Sequence, residues 1–292
     1  MSDIMSESNN IDNLTLNINS TATLNSGHKI PLLGLGVYQA PPGVTTERAI
    51  SWALKAGYRH IDTAALYGNE ADVGIAIASS GIPRSEIFVT TKIWNSDQGY
   101  STTLRAAESS LAKLQTDYID LLLLHSPLPG KKKRRESYLA LQELVAFGKA
   151  KSIGVSNYGV HHLTEMLDDP EITIKPAVNQ IEVHPWLLRN DIVTFCREND
   201  IIVEAYSPLT KGLKLRDRTL VKIAKKYHKS PAQILIRWSL QNNFVTLPKS
   251  VHKERIIENA NVYDFKIEDE DIESLNELDE YFVTGWDPTR AE

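Results

Sequence analysis

The sequence predicts an α/β protein folded as one (β/α)8 barrel, the TIM-barrel architecture. Eight short apolar segments alternate with amphipathic segments along most of the 292 residues, as expected of parallel strands joined by helices. No linker or shift in composition divides the chain, and a single barrel needs about 250 residues. Eight repeated units without a linker favour a closed barrel over an open, doubly wound sheet, which is the alternative.

The elements are predicted in the following order. Strands are expected at residues 33–36, 60–62, 88–92, 119–125, 152–156, 178–182, 202–206 and 245–248. Helices are expected between and after them at residues 45–56, 101–114, 136–147, 163–167, 191–199, 219–227 and 253–262. Two extra helices, 231–242 and 268–278, fall outside the alternation, and Ser230 is a good N-cap for the first.

The segment before the first strand contains a turn. Asn25-Ser26-Gly27 separates residues 22–24 from residues 29–30, which predicts an N-terminal β-hairpin closing the base of the barrel. Residues 1–20 are rich in Ser and Asn and offer little apolar surface to bury. We therefore expect a disordered tail over residues 1–20 and a single domain over residues 21–292.

The composition excludes several classes of protein. A formal net charge of −5 provides no global field that would attract nucleic acid or an anionic membrane. The longest apolar runs are far shorter than a membrane span, and the N-terminus has no features of a secretory signal or transit peptide. We expect a cytoplasmic protein with small-molecule ligands. The single cysteine, Cys196, cannot form an internal disulfide and is expected in the core.

Four polar residues at strand ends make chemical sense as a group. Asp62 and Tyr67 follow the second strand, Lys92 ends the third and His125 ends the fourth, and function in such barrels collects at the carboxyl ends of the strands. A phenol is a poor acid at neutral pH until a neighbouring cation stabilises its phenolate. Lys92 could supply that cation, Asp62 could keep Lys92 charged, and a neutral His125 could orient a substrate carbonyl.

The sequence lacks the residues that other kinds of catalysis would require. No nucleophile–base pair of the hydrolase type and no three-ligand metal spacing is present, so no metal is expected. The pair Gly34 and Gly36 lacks the third glycine of a dinucleotide-binding fingerprint, because Gln39 stands there. A phosphate-binding barrel hydrolase or isomerase would need a carboxylate base at the end of a late strand, and the sequence analysis identifies none.

The motifs around these residues resemble those of the aldo-keto reductase family. Residues 57–64 (GYRHIDTA) followed by residues 67–70 (YGNE) resemble its first signature. Further matches are TKIW at 91–94, DYIDL at 117–121 leading to His125, IGVSN at 153–157, NQIE at 179–182 and LPKS at 247–250. The similarity covers about residues 22–290 and is greatest to short-loop yeast and bacterial members of the family.

The resemblance implies reduction of aldehydes and ketones, including keto acids, keto esters and sugars, with NADPH. Tyr67 would be the general acid, Asp62 and Lys92 would tune it, and His125 would orient the carbonyl. The implied cofactor contacts are Ser156, Asn157, Gln180, Tyr206, Ser207, Leu209, Lys249, Ser250, Arg255, Glu258 and Asn259. Within that set, Lys249, Ser250 and Arg255 would hold the 2′-phosphate. Proposed substrate walls are Tyr38, Trp94, Trp186 and Trp286.

Three questions stay open at this level. Some relatives keep the barrel and the NADP site but serve as non-catalytic regulatory or structural proteins; retention of all four chemical residues favours an enzyme. A monomer is expected, with a weak dimer as the alternative. The cations at residues 131–135 are predicted to precede a helix beginning near Glu136. They are either a solvated loop or a patch at the barrel mouth that favours anionic carbonyl substrates.

Overall fold

A computed structural model describes residues 16–292 and shows the predicted (β/α)8 barrel. The antiparallel hairpin of β1 (Thr21–Thr23) and β2 (Lys29–Pro31) comes first. Eight parallel strands then neighbour one another in chain order. They are β3 (Leu35–Gly36), β4 (His60–Asp62), β5 (Phe88–Ile93), β6 (Ile119–Leu124), β7 (Ala150–Ser156), β8 (Val178–Glu182), β9 (Ile202–Tyr206) and β10 (Val245–Leu247). β5 and β6 are buried along their whole length, as parallel strands between a core and a helical layer must be.

The barrel closes where the first strand meets the last. The backbone N–H of Gly34 donates to the carbonyl of Thr246 at 3.0 Å, and Gly36 forms a parallel bridge with Lys249. A Cβ atom on Gly34 would lie 2.7 Å from the Leu247 side chain and 2.8 Å from the His60 ring. Glycine at this position therefore serves close packing between strands, which explains the glycine pair without a dinucleotide fingerprint.

Ten helices are present in the described part of the chain. They are α1 (Val44–Lys55), α2 (Glu70–Ala78), α3 (Tyr100–Leu114), α4 (Lys131–Ala146), α5 (Val160–Leu167), α6 (Asn190–Glu198), α7 (Arg218–Lys226), α8 (Pro231–Gln241), α9 (Lys253–Ala260) and α10 (Asp269–Asn276). Helix α2 was not predicted from the sequence. The prediction that α8 is an extra helix is wrong: residues 233–240 are all buried, and α8 packs against β10 and α9. The extra helices are α7 and α10, which pack on each other.

Helix α4 begins five residues earlier than predicted, at Lys131. Arg134 in its first turns is only 3% exposed; it donates to the carbonyl of Pro127 and to both carboxylate oxygens of Glu165. Arg135 bonds Asp169 at 2.6 Å. These carboxylates, at α5 and just beyond it, offset the unfavourable meeting of cations with the positive end of the helix.

The N-terminal hairpin lies at the base of the barrel, as predicted. The side-chain amide of Asn25 donates to the carbonyls of Pro176 and Asp200, which precede β8 and β9. Residues 1–15 of the predicted tail lie outside the described residues. Leu16 is buried and Ile18 packs against the core, so residues 16–20 belong to the packed domain rather than to a tail.

Two further observations complete the fold. Cys196 is fully buried, as expected of a core residue. Within residues 16–292, no helix combines the length and the apolar character needed to cross a membrane.

Candidate active site

A cavity of about 860 Å³ opens at the carboxyl ends of the barrel strands. It collects nearly all of the residues that the sequence analysis singled out. The predicted residues lining it are Tyr38, Asp62, Tyr67, Trp94, His125, Ser156, Asn157, Gln180, Tyr206, Ser207, Leu209, Lys249, Ser250, Arg255, Glu258, Asn259 and Trp286. Lys92 lies directly beneath the floor and contacts it through Tyr67 and Asp62.

Lys92 organises the floor of the cavity. β4 ends at Asp62, a 3₁₀ turn brings Tyr67 back over the strand end, and the neighbouring β5 carries Lys92. The ammonium of Lys92 donates to Asp62 Oδ2 at 2.7 Å, to the Thr63 carbonyl at 2.9 Å and to the Tyr67 hydroxyl at 3.3 Å. Its side chain is 0% exposed. Three acceptors for three ammonium hydrogens explain how this buried cation is tolerated.

Burial dominates the electrostatics of this floor. Removal from solvent, followed by the negative charge of Asp62, raises the pKa of Tyr67 well above 10. The phenol is therefore protonated at neutral pH, although the sequence analysis expected Lys92 to ease its ionisation. Burial and the charge of Lys92 also hold the pKa of His125 well below its usual range, so that its ring is neutral. The His125 ring lies edge-on to Tyr67, with centroids 5.8 Å apart.

Ser156, Asn157 and Gln180 follow or lie in adjacent strands on one side of this floor. The Asn157 amide donates to the His125 carbonyl and to Ser156 Oγ, both at 3.0 Å, and its Oδ1 accepts from the Tyr206 hydroxyl at 2.8 Å. Asn157 takes a left-handed backbone conformation with φ of 64°, which asparagine tolerates. Gln180 donates through Nε2 to Asp62 Oδ2 at 2.8 Å.

Two glutamates were not predicted as site residues, and one of them, Glu182, contradicts the expectation that no late strand ends in a carboxylate. Glu182 ends β8, lines the cavity and accepts from the Thr284 backbone N–H at 3.0 Å. Glu204 lies within β9, fully buried, and accepts from Gln180 Nε2 at 2.6 Å. The available signal was a charged residue in each of two predicted strands, at the end of residues 178–182 and inside the largely apolar residues 202–206.

Two cations line the cavity beside the last strand of the barrel. Lys249 follows β10, and Arg255 lies in the first turn of α9. Neither forms an ion pair with another described residue. Partial burial lowers the pKa of Lys249. The N–H of His252 donates to Ser250 Oγ at 3.1 Å, which orders the turn between the two cations. This arrangement is suited to an anionic group with several oxygen atoms.

Aromatic rings form the wall near Tyr67. Trp94 stands 4.9 Å from the His125 ring and 6.0 Å from Trp286, measured between centroids. Tyr38 lies 5.0 Å from the Tyr67 ring and is 44% exposed. Trp186, also predicted as a wall, does not line the cavity.

Trp186 does not border the cavity because the C-terminal segment covers it. Its ring is 2% exposed, and its backbone carbonyl accepts from the N–H of Phe282 at 2.8 Å.

None of residues 131–135 lines the cavity, and three of the five pair with Glu165 or Asp169. No three His, Cys, Asp or Glu side chains between residues 16 and 292 group in a way that could hold a metal ion.

Comparison with known proteins now identifies the family. The sequence model described as "Aldo/keto reductase family" matches residues 33–280. The chain belongs to this family of oxidoreductases. It is 46% identical over 271 residues to a glyoxal reductase of Bacillus subtilis, covering 93% of this chain and 97% of that protein. It is 48% identical to the 9,11-endoperoxide prostaglandin H2 reductase of Trypanosoma cruzi over 269 residues, covering 91% and 94%.

Solved structures of aldo/keto reductases agree with the barrel. One from a deep-sea metagenome library has a TM-score of 0.89 and 42% identity, covering 94% of this chain and all of that one. The aldo-keto reductase of Bombyx mori in complex with NADP has a TM-score of 0.84 and 35% identity, covering 91% and 94%. The family and the fold expected from the sequence are both confirmed.

Proposed function

We propose that this aldo/keto reductase reduces aldehydes and ketones to alcohols with NADPH, and that Tyr67 is the proton donor. The observation that carries the proposal is the floor of the cavity. A protonated phenol, a fully buried ammonium and a neutral imidazole meet there beside a cavity large enough for a dinucleotide and a substrate. These are the groups needed to bind a carbonyl oxygen and to protonate it.

The residues divide the work as follows. NADPH, when bound, supplies a hydride from C4 of its nicotinamide ring to the carbonyl carbon. The Tyr67 hydroxyl donates its proton to the carbonyl oxygen as negative charge develops there. Lys92 Nζ, 3.3 Å away, stabilises the phenolate that remains, and its ion pair with Asp62 holds Lys92 in place. His125, uncharged, donates a hydrogen bond that holds the carbonyl oxygen near Tyr67.

The residues present fit the proposed cofactor. Lys249 and Arg255 are cations without ion-pair partners among the described residues, and both line the cavity. The 2′-phosphate that distinguishes NADPH from NADH is an anionic group that these two cations can bind. Gln180 and Tyr206 line the same cavity as Tyr67 and the two cations. The complex of the Bombyx mori relative with NADP supports the same choice of cofactor.

The walls favour apolar and aromatic carbonyl compounds. Trp94, Trp286, Tyr38 and Leu66 border the substrate end, and the last three are 37–45% exposed. An open aromatic mouth of this kind accommodates bulky ketones and keto esters. The hypothesis that residues 131–135 attract anionic substrates loses its support, because the structure places them outside the cavity.

A carbonyl panel tests the proposal. We expect the protein to oxidise NADPH, followed by nicotinamide absorbance, with glyoxal, an aromatic ketone and a keto ester, and to use NADH poorly. Binding of NADPH without turnover on any carbonyl would instead support a non-catalytic role. A preference for NADH would refute the assignment of Lys249 and Arg255.

A further inference from the structure

At the floor of the cavity, two acidic side chains share one side-chain amide. Gln180 Nε2 lies 2.8 Å from Asp62 Oδ2 and 2.6 Å from Glu204 Oε2. A side-chain amide nitrogen carries two hydrogens, so each carboxyl group accepts one of them. Gln180 Oε1 forms no hydrogen bond with a described residue, and Gln180 lines the cavity. The amide therefore presents an acceptor, and no donor, to a ligand.

Two acceptors hold the amide more firmly than one. A single hydrogen bond to Asp62 would leave the amide plane free to rotate about that bond, whereas acceptors in two directions determine the plane. The reversed amide is disfavoured because Oε1 would then face Asp62 Oδ2, an oxygen that already accepts from the Lys92 ammonium and has no hydrogen to offer. Glu204 is 0% exposed and comes from β9, whereas Asp62 comes from β4, so Gln180 is held from two separate strands.

We propose that Glu204 is a positioning residue that, together with Asp62, orients the Gln180 amide so that Oε1 accepts a hydrogen bond from the carboxamide NH2 of nicotinamide. This inference rests on the proposed function, because it requires a nicotinamide in the cavity. Glu204 does not line the cavity and acts only through Gln180.

Glu204 fulfils this role as a neutral acceptor. Burial, followed by the negative charge of Asp62, raises the pKa of Glu204 to about 8. His60, whose Nε2 is 3.5 Å from Glu204 Oε1, is uncharged because burial lowers its pKa to about 3. A glutamine at position 204 can therefore accept the same hydrogen bond, whereas a methionine of similar shape cannot.

The test compares two cofactors that differ in one donor. In the 3-acetylpyridine analogue of NADP+, a methyl ketone replaces the carboxamide and removes the NH2 group. Dissociation constants are measured for both by quenching of tryptophan fluorescence. We expect the wild type to bind NADP+ about 3- to 10-fold more tightly than the analogue. Glu204→Gln keeps that ratio, and Glu204→Met lowers it to within about twofold. A ratio that survives Glu204→Met, or that falls equally in Glu204→Gln, overturns the proposal.

One control variant and one alternative measurement keep the test decisive. Glu70, also buried, accepts from Thr91 Oγ1 at 2.7 Å outside the cavity, so Glu70→Met must preserve the ratio. Should Glu204→Met fail to fold, amide exchange in the wild type decides: both Nε2 hydrogens of Gln180 should be protected, and fast exchange overturns the proposal. If the wild type oxidises NADPH with carbonyl substrates but binds NADP+ and the 3-acetylpyridine analogue equally, only the role of Glu204 is refuted. Absence of both NADPH binding and turnover refutes the proposed function as well.

Discussion

Replacement of Tyr67 by phenylalanine separates the chemistry of the site from its architecture. The change removes one hydroxyl and keeps the ring. Lys92 loses its longest contact, at 3.3 Å, but retains Asp62 at 2.7 Å and the Thr63 carbonyl at 2.9 Å. The ion pair stays intact, so we expect the free energy of unfolding to change by no more than about 1 kcal/mol.

The catalytic effect should be far larger. Loss of a general acid typically lowers turnover about 10²- to 10⁴-fold, which corresponds to about 2.7 to 5.5 kcal/mol in the activation free energy. NADPH affinity should stay nearly unchanged, because the carboxamide and phosphate contacts proposed for the cofactor do not include Tyr67. The measurements are kcat with a saturating carbonyl substrate, the NADPH dissociation constant, and urea unfolding.

Tyr38→Phe is the matched control. It makes the same chemical change on a ring 5.0 Å from Tyr67, but the Tyr38 hydroxyl has no hydrogen bond to Lys92. We expect kcat to change by less than about threefold, since the variant loses no proton donor. Turnover close to wild type in Tyr67→Phe, or equal losses in the two variants, would refute the assignment of Tyr67 as the acid.

Four further outcomes follow from the structure. Lys92→Met should destabilise the protein by about 3 to 5 kcal/mol in urea unfolding, because Asp62 would be left buried without its cation; an unchanged midpoint would count against a buried ion pair. Arg255→Ala should weaken NADPH binding about 10- to 150-fold with little change for NADH, because the variant loses a hydrogen bond to a charged group. Equal losses for both cofactors would point to a structural role instead. Trp94→Ala should shift the preference among carbonyl substrates more than it lowers the best kcat, and loss of all activity would contradict its role as a wall. Serine at residues 131–133 should leave kcat/KM for a keto acid and its salt dependence unchanged, and a changed salt slope would restore the hypothesis of an anion-attracting patch.

Local sequence patterns were sufficient to predict the barrel and most of the residues that line the cavity. Eight apolar runs of strand length appear in the sequence because parallel strands are buried on both faces, and the strands at residues 178–182 and 202–206 were predicted with the bounds observed. Closure of the barrel then brings the carboxyl ends of all strands to one face. Residues as distant in sequence as Asp62 and Lys249 could therefore be assigned to one site.

Features that depend on contacts between distant segments could not be read in this way. Two consecutive helices, α7 and α8, are predicted from the sequence, but which of them packs on the barrel depends on contacts with other elements. Helix α8 packs against β10 and α9, whereas α7 packs against α10. Trp186 is an aromatic residue shortly after a strand end, as is Trp94. Only the path of the C-terminal segment over Trp186 decides that one ring is covered and the other borders the cavity.

The sequence by itself thus determined the fold, the family and the residues at the strand ends, because these depend on periodicity and on short motifs. The tertiary structure alone decided the protonation of the site, since the pKa of Tyr67 reflects its burial more than its charged neighbours. It also brought together Glu204 and Gln180, the contact on which the proposed positioning role rests. Gln180 Nε2, from the neighbouring strand β8, lies 2.6 Å from Glu204 Oε2.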